Sequence, residues 1–367
     1  MYLVILGFIK TSLFGKNIPI YFFEGVRNMT ENRISLTSSE IACTWTGYMN
    51  DSMAKCILGY FLVHVEDSDI RPIIQFAYDL TVSHIEKLTH LFEEEDLPLP
   101  TGFTNEDVDL NAPRLYTDSF MLTYINHMAK AGLLAYSGLV SMSARKDVRG
   151  YFMEGLKETS DLFDRSSDVA LSKGLFVRAP YITYPTKTDY VDSKSYLSGF
   201  SLFSKQRPLN TVEISHLYMN IQTNLIGSHL SISFAQTSPR KNIQKWMLRG
   251  NDISKKHMQI FSATLIDNDI QPPVSSDVAI TNSTTPPFSD KLAMSHMALL
   301  SATGSGNYAT AAAASQRTDL FLNYERLSLE VAQYAKDGVN IMIDNKWLEQ
   351  PPGTTDKQKL SQTKDTE

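Results

Sequence analysis

Apolar residues recur every three or four positions along most of the chain, which is the spacing of amphipathic helices. Between residues 38 and 65 they include Ile41, Trp45, Tyr48 and Ile57, and this spacing predicts a helix with one buried side. The same spacing predicts seven more helices, at about 69–95, 117–144, 147–173, 211–237, 241–267, 289–316 and 319–345. The chain is therefore predicted to be all-α.

The connections between the predicted helices indicate how these helices are arranged. A few residues join the first helix to the second and the third to the fourth, and such short connections make antiparallel hairpins. Residues 97–115, between the second and third helices, are polar and contain prolines. A loop of that length is expected where the chain crosses the whole bundle. The predicted order is up, down, down, up, which is the ferritin-like four-helix bundle with a long crossover between helices 2 and 3.

The whole pattern occurs twice in the sequence. Identical residues align after a shift of 173 positions in the first part of the repeat and 172 in the second, as for Glu40 and Glu213, His84 and His257, Tyr136 and Tyr308, and Glu158 and Glu330. So few insertions or deletions indicate that structure holds the two copies in register. Each half is therefore predicted to be a self-contained folding unit, and two such units suit a chain of 367 residues.

The repeats divide the chain into segments. A first bundle is predicted at 29–180, a linker at 181–206, a second bundle at 207–352 and a disordered polar tail at 353–367. Residues 1–28 form an extension outside the core, and Lys10 and Lys16 interrupt its apolar run, so no stable membrane insertion is expected. The extension is either a membrane-seeking anchor or a segment outside the true protein. The polar residues that follow Met29 favour the second interpretation.

Composition indicates an ordinary globular protein. Apolar residues make up 43% of the chain, charged residues 20%, and the formal net charge is −6. Lys and Arg are scattered, so nucleic acid is not an expected partner, whereas a homo-oligomer remains open. The two cysteines, Cys43 and Cys56, have no counterparts in the second half. No disulfide framework is predicted, and a reducing cytoplasm is the simplest location.

Longer strings of sequence carry a family resemblance. These strings are LTSSEI, YMNDSM, SKGLFVRAPYI, RPLNTVEISHLYMNIQTN, PPFSDKL and DGVNIMI. The chain resembles an uncharacterised family of tandem ferritin-like proteins from Bacillus-type spore formers, over Met29 to Pro352. The resemblance implies the duplicated ferritin-like fold and suggests a link to stress or sporulation. It implies no established activity and transfers no catalytic residue.

Some of the repeated polar residues are explained by helix ends. Glu40 lies three residues after Thr37, and Glu213 lies three residues after Asn210. Both pairs match the capping box, in which the two side chains satisfy free backbone N–H groups at a helix start. We therefore interpret the two glutamates as caps. The turn between the third and fourth helices of each half is predicted to be braced by the pairs Arg145 with Asp147 and Arg317 with Asp319.

His84 and His257 are the best candidates for chemistry. Each lies in mid-helix, where no cap requires it. The two align with each other, and they are the only pair of histidines retained between the halves. In ferritin-like bundles, metal ligands project inward from the middle of all four helices. Counting residues from the turns gives a set of predicted metal ligands: Asp51, His84, His127 and Glu158 in the first half, and His216, His257, His296 and Glu330 in the second.

Such nitrogen and oxygen ligands suit a divalent iron, manganese or zinc ion. Against a metal, Asn224 replaces Asp51 in the second half, and neither half holds the full ferritin-like ligand set. A histidine in a helical bundle also serves as a hydrogen-bonded core residue. The sequence favours a non-enzymatic ferritin-like protein with at most vestigial metal binding. The alternative is a metal-dependent oxidoreductase, with an iron or manganese site of carboxylates and histidines in the bundle core.

Overall fold

The computed structural model describes residues 34–199, 206–273 and 278–362. The predicted extension at 1–28 lies outside the described residues, as do the last part of the predicted linker and the last part of the predicted tail. The long helices are α1 (Ser38–His64), α2 (Arg71–Glu94), α3 (Asp118–Ser141), α4 (Lys146–Ser172), α5 (Thr211–Thr237), α6 (Lys241–Ile266), α7 (Asp290–Ala314) and α8 (Thr318–Asp344). They confirm an all-α chain made of two repeated units.

Shorter elements complete the described chain. Turns of 3-10 helix lie at Asn105–Asp107 and Lys194–Leu197. A six-residue helix, α9, covers Lys357–Gln362, within the tail that was predicted to be disordered. No strand occurs in the described ranges, where β pairing is limited to isolated bridges. Within the same ranges, every helix is too short or too polar to cross a membrane.

The predicted capping boxes are present at the starts of α1 and α5. The backbone N–H of Thr37 donates to Glu40 Oε2 at 2.8 Å, and that of Asn210 donates to Glu213 Oε2 at 3.0 Å. The return bonds, from the Glu40 and Glu213 N–H groups to the cap side chains, measure 3.3 and 2.9 Å. Local sequence chemistry therefore fixes where each half begins.

The cap carboxylates also reach the turn between the third and fourth helices of their own half. The N–H of Arg145 donates to Glu40 Oε1 at 2.6 Å, and the N–H of Arg317 donates to Glu213 Oε1 at 3.0 Å. Each arginine then pairs with the aspartate two residues later, at 2.8 Å for Asp147 and 2.7 Å for Asp319. The predicted turn braces are present, and the caps join the start of each half to its opposite hairpin.

The two crossover segments pair with each other. Val108 bridges Phe288, and Tyr116 bridges Ile280, both in antiparallel orientation. A shift of 172 positions converts Val108 to Ile280 and Tyr116 to Phe288, so each bridge is the symmetry copy of the other. The backbone hydrogen bonds beside the bridges form two symmetry-related pairs. In the first pair, Asp109 N donates to Pro287 O and Thr281 N donates to Leu115 O. In the second pair, Ser289 N donates to Asp107 O and Thr117 N donates to Ala279 O. The halves meet isologously, as two subunits do across a two-fold axis.

One hydrophobic core spans both halves. It contains buried residues of α1, α2 and α3 together with residues of α5, α6 and α7. Across the junction, Tyr116 Oη lies 2.7 Å from Ser233 Oγ, and the ring of Tyr60 lies 5.3 Å from that of Phe288. Apolar faces of both halves are therefore buried against each other, whereas the prediction that each half is a self-contained folding unit stays a prediction. The sequence repeat shows which residues of the two halves correspond. It does not show whether the outer faces of the halves are apolar enough to pack against each other.

Candidate functional site

His84 lies at the meeting point of all four helices of the first half. Its Nε2 atom lies 2.8 Å from Glu158 Oε2 on α4, and its Nδ1 atom lies 3.2 Å from Tyr136 Oη on α3. The carboxylate of Asp51 on α1 approaches the same Nδ1 atom at 3.6 Å. We call these four residues the His84 cluster. The sequence correctly placed three of them together and missed Tyr136.

The second half contains an equivalent group, which we call the His257 cluster. His257 Nε2 lies 3.1 Å from Glu330 Oε2, and His257 Nδ1 lies 2.8 Å from Tyr308 Oη. Asn224 takes the place of Asp51 and donates to Tyr308 Oη at 2.8 Å. A Tyr, a His and a Glu thus meet in both halves. The repetition of Tyr136 as Tyr308 was the available signal for this role.

Asp51 gives the two clusters different electrostatics. Burial acts to lower the pKa of His84, but hydrogen bonding and attraction to Asp51 and Glu158 outweigh it, so this pKa is raised. At His257 burial prevails over the opposing effect of Glu330, and the pKa is lowered. Burial also raises the pKa of Asp51, against the influence of His84. The first half therefore favours a protonated imidazole, and the second half favours a neutral one.

The geometry of the His84 cluster does not match the predicted four-ligand metal site. Glu158 approaches the Nε2 atom of His84, whereas Asp51 approaches its Nδ1 atom. The two nitrogens point away from each other, so one ion cannot bind His84 and both carboxylates. Among the described residues, no group of three or more His, Cys, Asp or Glu side chains is placed to hold a metal ion.

The other predicted ligands lie elsewhere. Counting along α3 placed His127 at the depth of His84, but Tyr136 is the α3 residue that contacts His84, and the nine residues from His127 to Tyr136 (136 − 127 = 9) span about 14 Å and two and a half turns. His127 instead lines a cavity of about 70 Å³ that also contains Lys130, Phe176 and Gln222. Burial, assisted by Lys130, lowers the pKa of His127 to about 4.

His296 lies at the junction of the two halves. Its Nε2 atom is 2.7 Å from Tyr124 Oη, and Tyr124 occupies the position equivalent to His296 in the first repeat. The pseudo-two-fold axis thus passes between these two side chains. Burial lowers the pKa of His296 to about 4. His216 is about two turns before Asn224 on α5, and its Nδ1 atom is buried without a hydrogen-bond partner.

A cavity of about 230 Å³ adjoins the His84 cluster. We call it the first-half cavity, although α7 of the second half contributes to its wall together with α1, α2, α3 and α4. Most of its surface is apolar, and its lining includes Met53, Ile57, Leu80, Met128, Leu162 and Leu299. Asp51, His84 and Tyr136 provide a polar region on its wall. Nothing in the sequence pattern indicates this cavity.

The equivalent region of the second half carries larger side chains. Asn220 replaces Gly47, and Tyr334 replaces Leu162. Tyr334 is buried and stacks on Trp246, with ring centroids 4.2 Å apart and planes 6° from parallel. The two halves therefore share the Tyr–His–Glu arrangement but differ in the space beside it.

The hydroxyl groups of the two clusters should differ in their effect on stability. Replacing Tyr308 by Phe leaves His257 Nδ1 without its buried partner and leaves the Asn224 amide with only Asn220 O, so we expect the free energy of unfolding to fall by about 1–3 kcal/mol. Replacing Tyr136 by Phe should cost less, because Asp51 remains beside His84 Nδ1. Urea unfolding of both variants measures this, and equal losses would contradict it.

Comparison with known proteins places these features in context. The family model described as "Protein of unknown function (DUF3231)" matches residues 24–188 and again residues 198–360, which is one match in each repeat. The chain is similar to a solved structure from Bacillus halodurans C-125, provisionally described as a spore coat protein. The two share 20% identity over 42% of this chain and 98% of the other, with a TM-score of 0.35. No curated protein matches the chain.

Proposed function

The chain belongs to the DUF3231 family, with one family repeat in each half, and on that premise we propose that it is a non-catalytic helical protein of the ferritin-like class. Four long helices in each repeat, with the long connection between the second and third, support the ferritin-like assignment. The observation that carries the non-catalytic assignment is the way the clusters use their histidines. In both halves a buried imidazole lies between a glutamate and a tyrosine, with each ring nitrogen facing one of them.

In this role the histidines are structural. Each one joins three helices of its half through hydrogen bonds that replace the water lost on burial. An imidazole whose two nitrogens are both engaged has no lone pair free for a metal. Carboxylates and histidines in the middle of a bundle are the residue types that hold metal in ferritin-like proteins, and we regard these ones as the remains of such a centre that now stabilise the fold.

A metal-dependent oxidoreductase remains the second candidate, and one feature of the first half favours it. Asp51 Oδ2 is buried without a hydrogen-bond partner and lies 3.6 Å from His84 Nδ1. These two residues would hold iron or manganese after a small rearrangement that releases Tyr136 from His84. A bound ion there would supply redox chemistry next to the first-half cavity. The second half offers only Asn224 at the same place.

Metal analysis of the purified full chain separates the two candidates. We expect less than one tenth of an equivalent of iron, manganese or zinc, and no rise in melting temperature when any of them is added. The variant Asp51→Asn should then behave as the parent does. The matched control is Asp164→Asn, at an exposed position of α4. One equivalent of bound metal that Asp51→Asn loses and Asp164→Asn retains would favour the oxidoreductase.

We also propose a cytoplasmic location. Cys43 and Cys56 are both buried and free, which supports a compartment where thiols stay reduced.

A further inference from the structure

The size of the first-half cavity admits a small organic molecule. Its volume is about 230 Å³, and a dry apolar cavity of about 150 Å³ in another protein is large enough for benzene. The apolar side chains that dominate its wall offer water few hydrogen bonds, so an apolar guest has little competition there. A guest of about seven to ten heavy atoms fits this space.

The polar region of the cavity wall defines one end of that guest. Asp51 lines the cavity, and its buried Oδ2 atom has no hydrogen-bond partner within the described part of the chain. A buried oxygen in this state is costly unless it accepts a hydrogen bond. The nearest donor, His84 Nδ1, lies 3.6 Å away, beyond hydrogen-bond distance, and Tyr136 and Glu158 both face His84. A donor on a bound molecule would supply it.

Charge narrows the choice of head group. Asp51 and Glu158 place two carboxyl groups around the single imidazole of His84, so the acidic groups outnumber the basic one even when His84 is protonated, and a carboxylate on the guest would be repelled. A hydroxyl group can donate to Asp51 Oδ2, and an ammonium group can donate and also carry the opposite charge. An amine should therefore bind more tightly than an alcohol of the same length.

On α3 the cavity wall includes a residue that is exposed to solvent. Ala131 and Ala135 line the cavity there, and Ala135 is exposed to solvent. The equivalent of Ala135 in the second half is Asn307, which is buried. Together with Asn224 in place of Asp51, this difference limits binding to one molecule per chain.

We propose that the first-half cavity is a binding site for one small amphiphile, with an apolar body of about six to eight carbons and an amino or hydroxyl head group that donates to Asp51. This site is independent of the structural role given to the histidines, since it uses an oxygen that those hydrogen bonds leave free. Leu299 and Thr303 of α7 also line it, so the bound molecule contacts both halves.

Isothermal titration of the full chain with hexylamine, 1-hexanol and hexanoate tests the proposal. EDTA in the buffer ensures that a metal ion at Asp51 does not alter the result. We expect one equivalent of hexylamine to bind, with weaker binding of hexanol and at least tenfold weaker binding of hexanoate. Asp51→Asn should weaken hexylamine binding by about tenfold or more, and should weaken hexanol binding less. The matched control Asp252→Asn, at an exposed position of α6, should leave both affinities unchanged.

Filling the cavity gives a second, independent measurement. Ala129→Leu and Ala54→Leu each add three carbons to residues that line it, and both should abolish binding. Circular dichroism shows whether each variant folds. If one variant does not fold, the binding measurement on the other variant tests the proposal. Binding of hexylamine that survives both fillings, or that Asp51→Asn leaves unchanged, would overturn the proposal. No binding of either hexylamine or hexanol to the parent protein would also overturn it.

Discussion

Replacing Glu213 by Ala should lower the free energy of unfolding by about 3–5 kcal/mol. The carboxylate is fully buried and bonds to both terminal nitrogens of Arg207 at 2.8 Å. It also accepts the N–H groups of Asn210, Gln316 and Arg317, at 3.0, 3.1 and 3.0 Å. Its removal leaves a largely buried guanidinium without its carboxylate and leaves the buried N–H of Arg317 and two partly buried N–H groups without an acceptor.

The equivalent substitution in the first half is an internal comparison. Glu40→Ala removes bonds from Thr37 and from the N–H of Arg145. Among the described residues, no arginine side chain pairs with Glu40 in the way that Arg207 pairs with Glu213, so we expect a smaller loss of about 1–3 kcal/mol. Glu325→Ala, at an exposed position of α8, should change stability by less than about 0.5 kcal/mol. Urea unfolding measures all three, and a Glu213 effect no larger than the control would refute this account.

Acid should destabilise the protein well above the pKa range of ordinary carboxyl groups. His127 and His296 both have pKa values lowered to about 4 by burial, against about 6.5 in the unfolded chain. Between these values the unfolded state binds more protons than the folded state, so stability falls as the pH falls from about 6.5 to about 4. Each histidine should cost about 2 kcal/mol between pH 7 and pH 5.

Two single variants measure these contributions. His127→Gln and His296→Gln should each lose stability at pH 7, yet each should show a smaller further loss at pH 5 than the parent protein. His90→Gln provides the control, because His90 is exposed on α2 and should leave the pH dependence unchanged. His84 should have the opposite effect on the pH dependence of stability, because its pKa is raised in the folded protein. A pH profile that neither substitution flattens would show that these histidines are protonated in the folded protein.

Helix ends illustrate what local sequence is able to predict. Thr37 with Glu40, and Asn210 with Glu213, identified the first residue of α1 and α5 within a few positions. The capping bonds connect residues three apart, so the sequence itself brings the partners together. The same sequence gave no sign that Glu213 also binds the turn at Arg317, which is more than one hundred residues away.

The candidate site was predicted in part. His84 and Glu158 were placed at one depth by counting along helices from their turns, and the structure brings them to 2.8 Å. His127 was placed at that depth too, but it lines a different cavity and lies about 14 Å along α3 from Tyr136, the residue that contacts His84. Depth depends on how the two hairpins are offset along the bundle as well as on the rise per residue. The direction of a side chain also depends on how the helix is rotated within the bundle, which counting from a turn does not give.

The sequence by itself determined the eight long helices, their caps and the two repeats, because helical periodicity and capping act between residues close together in the chain. Only the tertiary structure decided that the crossover segments pair, that Tyr124 meets His296, and that one core spans both halves. It also decided that a cavity remains beside His84 in the first half. These features depend on how each amphipathic helix is rotated against its neighbours. Several packings of the same helices are compatible with a single sequence pattern, so the pattern alone does not select one of them.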